Sequence, residues 1–564
     1  MNLNGKEIKL LQYADDTLLT LDGTKEDLQN ALKILDEFEK MSNLKINISK
    51  TQIIWIGKNR ACKKQFLSEH HLNWISEGYS RYLGIYFSVD LPKMVDYNYC
   101  DKIKDIKRQI SSWSKRNLTV LGRINVVKML LVSKLNYLLL SLPEPSLHIM
   151  KEINSLFYSF IWGNKPDKIN REQMCQIYNE GGVKMIDIFT HTKSLKISWI
   201  RRLLKDNTLE ENNTFHLLRS FLPETCLFHM GSVYFKTLAD SIPNLFWKEV
   251  ILAWSELVQL FTHDIACQPL WNNPLIKINN QVIFFKTWSL RGIRFVNDIL
   301  KEDGSFLSYF EIQRKFAIQI KFLQYFSVRN SIRSGFKKNK HDLIPKALDP
   351  LITEPLLLIL KTETGCSHIY QTFIKHKVKK CKSLTKWQND IDIEDARWGS
   401  FCLIPFQSTL DTNMRWFQIK VLNRILYMKD ALYRFGMVAD TTCTFCNSNV
   451  EDILHFYCFC NYSNIIWSKL ECWILNSTGV KITLSNQNKL FGFCGLNNNA
   501  LNCILIVVRQ EIYFAKLQNK LPLFEQIVSA VRRYYEMEKY IYQTNLKERK
   551  FVKKWLLLRK LFGN

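Results

Sequence analysis

LLQYADDTLL, Leu10 to Leu19, is the stretch on which the reading of this chain turns. Two short runs, Lys9–Tyr13 and Thr17–Leu21, flank Ala14-Asp15-Asp16, and this spacing predicts a β-hairpin with acidic residues at its turn. Adjacent carboxylates at a tight turn cannot both point inward, so one projects to each side. Held there, Asp15 and Asp16 offer oxygen ligands for the hard divalent cations that phosphoryl transfer uses. Asp is also a common residue of solvated turns, because its side chain bonds the nearby backbone. The neighbouring sequence has to decide between the two.

Immediately downstream, Thr24 opens a helix with Asp27 three residues on, an approximate capping box. Leu28, Ala31, Leu32, Leu35 and Phe38 keep helical spacing. Leu44, Ile46 and Ile48 then alternate with polar residues, as do Ile54 and Ile56 around Trp55, and further extended pieces are expected near His71–Ile75 and Tyr82–Phe87. Beyond residue 96 the period becomes helical. Ile103, Ile106, Ile110 and Trp113 form one stripe, Leu118–Leu142 a long apolar helix or pair, and helices continue through Leu156–Trp162 and Ser194–Leu204. The polar run Asp206–Thr214 reads as a linker, and Gln510–Leu561 as helices on a basic theme.

Composition narrows the partners. With 78 Lys+Arg against 52 Asp+Glu, the net charge is +26 over 564 residues, which points to a polyanion. Only 20 Gly and 13 Pro punctuate that length, so helices should dominate. The most apolar run, Met129–Leu142, is interrupted by Ser133, Lys134 and Asn136 and is too short to span a bilayer. The N-terminal residues lack the apolar core of a secretory signal. Most of the 15 cysteines are isolated, as expected of reduced thiols in an intracellular protein, cytoplasmic or nuclear, with no membrane partner.

One group of cysteines is dense: Cys443-x2-Cys446-x8-His455-x4-Cys460. A CxxC pair supplies one side of a tetrahedron, and His455 with Cys460 supplies the other. The pattern predicts a Cys3His structural zinc site with no open position for catalysis. Cys458 in place of Cys460 is the alternative ligand. Further on, Lys539–Lys560 carries eight Lys or Arg residues and one acid, Glu548, with Tyr540, Tyr542, Phe551 and Trp555 interleaved. Cations there, Lys550, Lys553 and Lys554 among them, can track phosphates while rings such as Trp555 stack on unpaired bases. A helix with a solvated charged face would show the same pattern.

The ordered set of motifs resembles one family. LLQYADDTLL is similar to motif C of reverse transcriptases, LKINISKT (Leu44–Thr51) to motif D of the non-LTR (LINE-type) retrotransposon enzymes, and YLGI (Tyr82–Ile85) to their primer-grip motif E. LTVLGRINVVKMLLVSKLNYLLLSLP (Leu118–Pro143) resembles their thumb helices, and FIWGN (Phe160–Asn164) and GGVKMIDI (Gly181–Ile188) also recur there. Arg415–Met437, followed by CTFC, Glu451, His455-Phe456, Cys460 and Trp467, resembles the reverse-transcriptase zinc-binding domain.

By that resemblance, Asp15 would bind both Mg2+ ions of the complete enzyme, with Asp16 the weaker partner. Tyr13 would contact the primer terminus or template pair. Lys50 would lie near the incoming nucleotide's phosphates, and the primer strand would rest against Leu83 and Gly84. The family supplies a second metal-binding aspartate from motif A, upstream of motif C, together with the fingers. Only fourteen residues precede Asp15, so this polypeptide is expected not to polymerise alone.

The expected fold is mainly α with a small α+β N-terminal portion. It comprises an incomplete right-hand polymerase palm (1–90), a helical thumb (91–205), a helical connector (206–410), a zinc-binding domain (411–480) and a basic helical tail (481–564). The expected cofactors are structural Zn2+ and, in the complete enzyme, Mg2+, and the expected partners are RNA and DNA as primer–template. The alternative is a non-catalytic zinc-containing nucleic-acid-binding protein or a retroelement relic. Oligomeric state is not legible in the sequence.

Overall fold

The computed structural model describes residues 2–3, 6–7, 9–75, 79–205, 222, 226–260, 267–338, 365–377 and 381–563. The linker expected at 206–214 lies outside them. The described chain is mostly helical, as its sparse Gly and Pro content predicts, and its strands form five separate two-stranded sheets. No single helix among the described residues is long and apolar enough to cross a membrane.

The hairpin forms where the sequence puts it. Leu10–Tyr13 pairs antiparallel with Asp16–Leu19, Tyr13 opposite Asp16. The two-residue turn is Ala14-Asp15, and Ala14 takes φ 52°, a left-handed conformation that costs a residue with a Cβ. Both faces are open: Leu10, Leu11, Tyr13 and Leu19 are all exposed. The helix Lys25–Ser42 begins as predicted, with the Thr24 hydroxyl accepting from Asp27 N–H at 3.1 Å. It buries Leu28 and leaves Ile34, Phe38 and Met41 in solvent.

Two expectations in this region need correction. Leu44–Ile48 is irregular rather than a strand; the nearest ladder is Gln52–Ile54, parallel to Asn73–Ile75. That ladder is held by the ring cluster of Trp55, Phe66 and Trp74, with centroids 5.5–6.0 Å apart. The piece at Tyr82–Phe87 is a hairpin, Ser80–Tyr82 against Ile85–Phe87, because Leu83 (φ 47°) and Gly84 (φ 80°) both turn left-handed. Tyr137 Oη donates to Leu83 O at 2.9 Å, and the Asn98 amide brackets Tyr86, donating to its carbonyl at 2.7 Å and accepting from its N–H at 2.9 Å.

Contacts divide the chain into two compact units. The first comprises Met1–Gln109, Val132–Asn154 and Ile188–His376. Its core gathers Trp254, Trp271 and Trp288 with Ile197, Ile200 and Phe235. Lys196 is fully buried there, donating to Leu142 O at 2.6 Å and pairing with Glu249 at 3.1 Å. The apolar run at 118–142 is not one helix: Val120–Val126 continues into a wide turn at Val127–Leu131, both assigned to the second unit, and a new helix, Ser133–Ser141, belongs to the first.

The second unit comprises Ile110–Leu131, Ser155–Asp187 and Lys377–Asn564. Its core runs from Cys381 and Trp387 through Cys443, Tyr457 and Trp467 to Trp555 and Leu561. The segment read as a basic tail therefore shares one core with the cysteine cluster. The helices Asn499–Leu517, Phe524–Thr544 and Glu548–Trp555 each turn an apolar face into it.

Candidate metal centre

The first two ligands sit on a tight loop. Thr442 pairs with Val450 across an antiparallel bridge, Cys443 N–H donates to Asn449 O at 2.8 Å, and Asn447 N–H donates to Cys443 O at 2.9 Å. Asn447 takes φ 51°, a conformation Asn tolerates better than most residues. Closing the loop this way brings Cys443 and Cys446 to one side.

The other two ligands come from a turn wider than an α-helix. Asp452 accepts from His455 N–H at 2.7 Å and starts it. Cys460 N–H then donates to His455 O at 2.7 Å, an i→i+5 bond that sets residues 455 and 460 side by side. Carbonyls freed by the wide turn are recovered, Phe456 O by Ser463 Oγ (2.7 Å) and Tyr457 O by Trp467 Nε1 (2.8 Å). Cys460 itself caps the helix Asn461–Thr478.

The four ligand atoms all lie within 4.8 Å of one another. Cys443 Sγ and Cys460 Sγ are 3.9 Å apart, and Cys446 Sγ is 3.3 Å from His455 Nε2. A tetrahedral zinc with Zn–S bonds of about 2.3 Å spaces its sulfurs about 3.8 Å apart. Disulfide sulfurs would be about 2.05 Å apart, so this separation fits the metal and excludes the bond. Cys458 is not part of the group: it is buried with Sγ 3.7 Å from Asn486 O, and burial pushes its thiol up to about 12.

One of the thiols, Cys460, is prepared to ionise. A hydrogen bond from Cys443 brings Cys460 down to about 7, helped by the N–H groups of Tyr462 and Ser463 at the helix start. Donating that bond, together with burial, raises Cys443 to about 12, although the N–H groups of Phe445 and Cys446 oppose the rise. A cation bound among the four would meet both sulfurs as thiolates. With every position of a tetrahedron taken by protein, a zinc bound here would have no open position for catalysis and would supply folding energy.

Glu451 holds the loop, a role the pattern of Cys and His does not disclose. Its fully buried carboxylate accepts from Thr444 N–H (2.8 Å), Thr444 Oγ1 (2.6 Å) and Lys429 N–H (3.1 Å), and pairs with buried Lys516 at 3.2 Å. Thr444 lies between the two loop cysteines, so this carboxylate fixes their spacing.

The remaining sequence-derived residues fall into three groups. Asp15, Asp16, Tyr13 and Lys50 are exposed, the aspartates on the hairpin and Lys50 in the turn closed by its N–H to Asn47 O. Leu83 and Gly84 form the second hairpin's turn. In the C-terminal helix, Lys550 and Lys553 face solvent, but Lys554 and Trp555 do not. Trp555 is 2% exposed and donates from Nε1 to Glu538 Oε2 at 3.1 Å, so its ring cannot stack on a base. Lys554 pairs with the same carboxylate at 2.6 Å and donates to Ser408 O at 2.6 Å. Both are core residues because the helix is amphipathic, with the Phe551–Trp555 face inward. Among the described residues, the Cys443–Cys460 set is the one group of three or more His, Cys, Asp or Glu side chains gathered closely enough to hold a metal.

Comparison with known families matches both ends of this description. Residues 1–87 match the family model of reverse transcriptase (RNA-dependent DNA polymerase), and residues 365–467 match that of the zinc-binding segment in reverse transcriptase. The two matches support a reverse transcriptase-related protein with a zinc-binding domain. A reverse-transcriptase domain implies nucleic-acid binding in general.

Proposed function

We propose that the chain acts in the RNA-templated DNA synthesis of a non-LTR retrotransposon, by engaging primer–template nucleic acid, and that it does not polymerise by itself. In this reading residues 1–90 contribute palm elements, 91–205 the thumb and 206–410 a connector, with zinc holding the C-terminal domain. The observation that carries it is the pairing in one chain of an Asp-Asp hairpin inside a reverse-transcriptase match with an assembled Cys3His cluster inside the zinc-binding match. The net charge of +26 supports a polyanionic partner, and free cysteines throughout the chain suit an intracellular setting.

Inactivity in isolation is supported by the hairpin's surroundings. Two-metal phosphoryl transfer needs carboxylates converging on both ions. Among the described residues, no third acidic or His side chain joins Asp15 and Asp16. The same observation favours a second reading, a non-catalytic zinc-containing nucleic-acid-binding protein.

Primer extension with Mg2+ on an oligo(dT)-primed poly(rA) template is the test. We expect no incorporation above background, and incorporation abolished by Asp15→Asn would overturn the inactivity. Affinity for the same primer–template, measured across salt, should fall steeply on a log–log plot; a slope near zero would remove the nucleic-acid reading.

A further inference from the structure

The first unit presents aromatic rings to solvent where neither core needs them. Phe310 is 75% exposed and Phe322 is 54% exposed, and Phe326 and Leu323 are exposed beside them. The rings form a connected ridge. Phe310 and Phe322 each contact Tyr309 with centroids 5.3 Å apart, and Phe322 contacts Phe326 at 4.7 Å.

The ridge is held rigidly. Ser308 and Glu311 cap the helix Tyr309–Phe316 reciprocally, Tyr309 Oη donates to Ile320 O at 2.8 Å, and Tyr325 Oη donates to Leu307 O at 2.8 Å. Beside it runs an open groove of about 520 Å3 lined by Tyr309, Gln313, Ala317, Gln319 and Ile320, within the range of about 300–1,000 Å3 typical of ligand clefts. Two glutamine side chains at the groove offer both donors and acceptors.

Charge selects the occupant. From Tyr309 to Arg333 there are five Lys or Arg residues and one acid, Glu311, which Lys301 already neutralises at 3.0 Å. Arg314 and Lys321 are exposed, each next in sequence to a residue that lines the groove, Gln313 and Ile320. A hydrophobic protein partner would use the rings but leave the ammonium groups of Lys315 and Lys321, a residue type depleted at protein interfaces, without a counter-charge. Duplex nucleic acid would want the cations but offers no open base face to the rings. Unpaired nucleotides use both, with bases stacked on aromatic faces and phosphates met by cations.

We propose that the Phe310–Phe322–Phe326 ridge and its groove form a binding site for single-stranded nucleic acid, with Arg314 and Lys321 meeting the phosphates. The proposal rests on the nucleic-acid reading above and assigns it a location in the connector. It is tested on the full chain with a fluorescein-labelled oligo(dT) 20-mer and a 20-base-pair duplex as probes, comparing wild type with Phe310→Leu/Phe322→Leu and with Arg314→Gln/Lys321→Gln. The leucine pair should weaken oligo(dT) binding by at least about tenfold while leaving duplex affinity, zinc content and the melting curve unchanged. The glutamine pair should flatten the salt slope by about 1.4, the value for two lost phosphate contacts on a single strand.

Unchanged oligo(dT) affinity in the leucine pair overturns the site while leaving the wider reading standing. Failure of the wild type to bind either probe overturns both. A wild-type dimer in sedimentation that the leucine pair dissolves, with oligo(dT) affinity unaltered, would assign the ridge to self-association instead.

Discussion

Replacing Glu451 with Gln tests whether the zinc loop depends on a residue that never touches the metal. The carboxylate accepts three hydrogen bonds, two from Thr444 and one from Lys429 N–H, and neutralises Lys516, all with essentially no solvent contact. A glutamine of the same shape has one acceptor oxygen and turns an NH2 toward groups that are themselves donors. At least one buried N–H or O–H loses its acceptor, and the ammonium loses its counter-ion. Breaking one side of a buried pair costs about 3–5 kcal/mol. Lys516 keeps its bond to Tyr427 O at 2.8 Å, which argues for the lower end of that range. Because Thr444 sits between Cys443 and Cys446, part of the cost should appear as metal affinity, a loss of about 10–100-fold for a supporting residue of this kind.

Competition with a chromophoric chelator reads the affinity, and urea unfolding followed by tryptophan fluorescence reads the stability. Adding Lys516→Met to the variant removes the stranded charge and should recover part of the stability without restoring zinc affinity. A Glu451→Gln protein with the wild-type zinc constant and unfolding midpoint would refute the reasoning.

Metal analysis should find one zinc per chain in Cys458→Ser and none in Cys460→Ser; the reverse result would mean that the sulfur facing Asn486 O is the ligand. In the C-terminal helix, Lys554→Met strands Glu538, whose side chain is 3% exposed, and should cost about 3–5 kcal/mol. Lys550→Gln/Lys553→Gln should instead leave stability alone and weaken nucleic-acid binding, and full affinity in that pair would exclude this face from the contact. Burial lowers His191 from its ordinary 6.5 to about 4, so the unfolded chain takes up a proton that the folded unit refuses. Its contribution is therefore complete above pH 6.5 and lost as pH falls from 6.5 to 4. Denaturant midpoints across that window should vary less in His191→Gln than in wild type, and identical slopes would show that His191 carries none of the dependence.

How far the sequence disclosed this molecule depended on the range of the forces involved. The Asp-Asp hairpin, the Thr24 cap and the Cys3His spacing are set by residues within a few positions of one another, and each formed as its local pattern implied. Leu44–Ile48 carries the alternation of a strand, but among the described residues no partner strand pairs with it, and alternation alone supplies no hydrogen bonds. Lys554 and Trp555 are not nucleic-acid contacts as their pattern implies, because basic and aromatic residues look alike in sequence whether they meet phosphate or a buried glutamate. What separates the two cases is Glu538, on the preceding helix and 16 residues away from Lys554, and Ser408, 146 residues away. Glu451 was visible as part of a motif, but its function depends on Lys516, 65 positions further along the chain.

The two chemically distinctive sites differ in how their geometry is maintained. At the cysteine cluster the ligands belong to the core: Cys443 and Cys460 are fully buried, Glu451 locks the loop, and Trp467 restores the carbonyl that the wide turn releases. Displacing any ligand there disturbs packing, so metal binding and folding reinforce one another. Among the described residues the aspartate hairpin has no such support. Its strands expose Leu10, Leu11 and Leu19, and Ala14 bears the strain of its turn. Two isolated strands are marginal in water, so the carboxylate geometry of Asp15 and Asp16 gains precision only when something packs on those leucines. Among the described residues, the cysteines thus sit on a packed face and the aspartates do not.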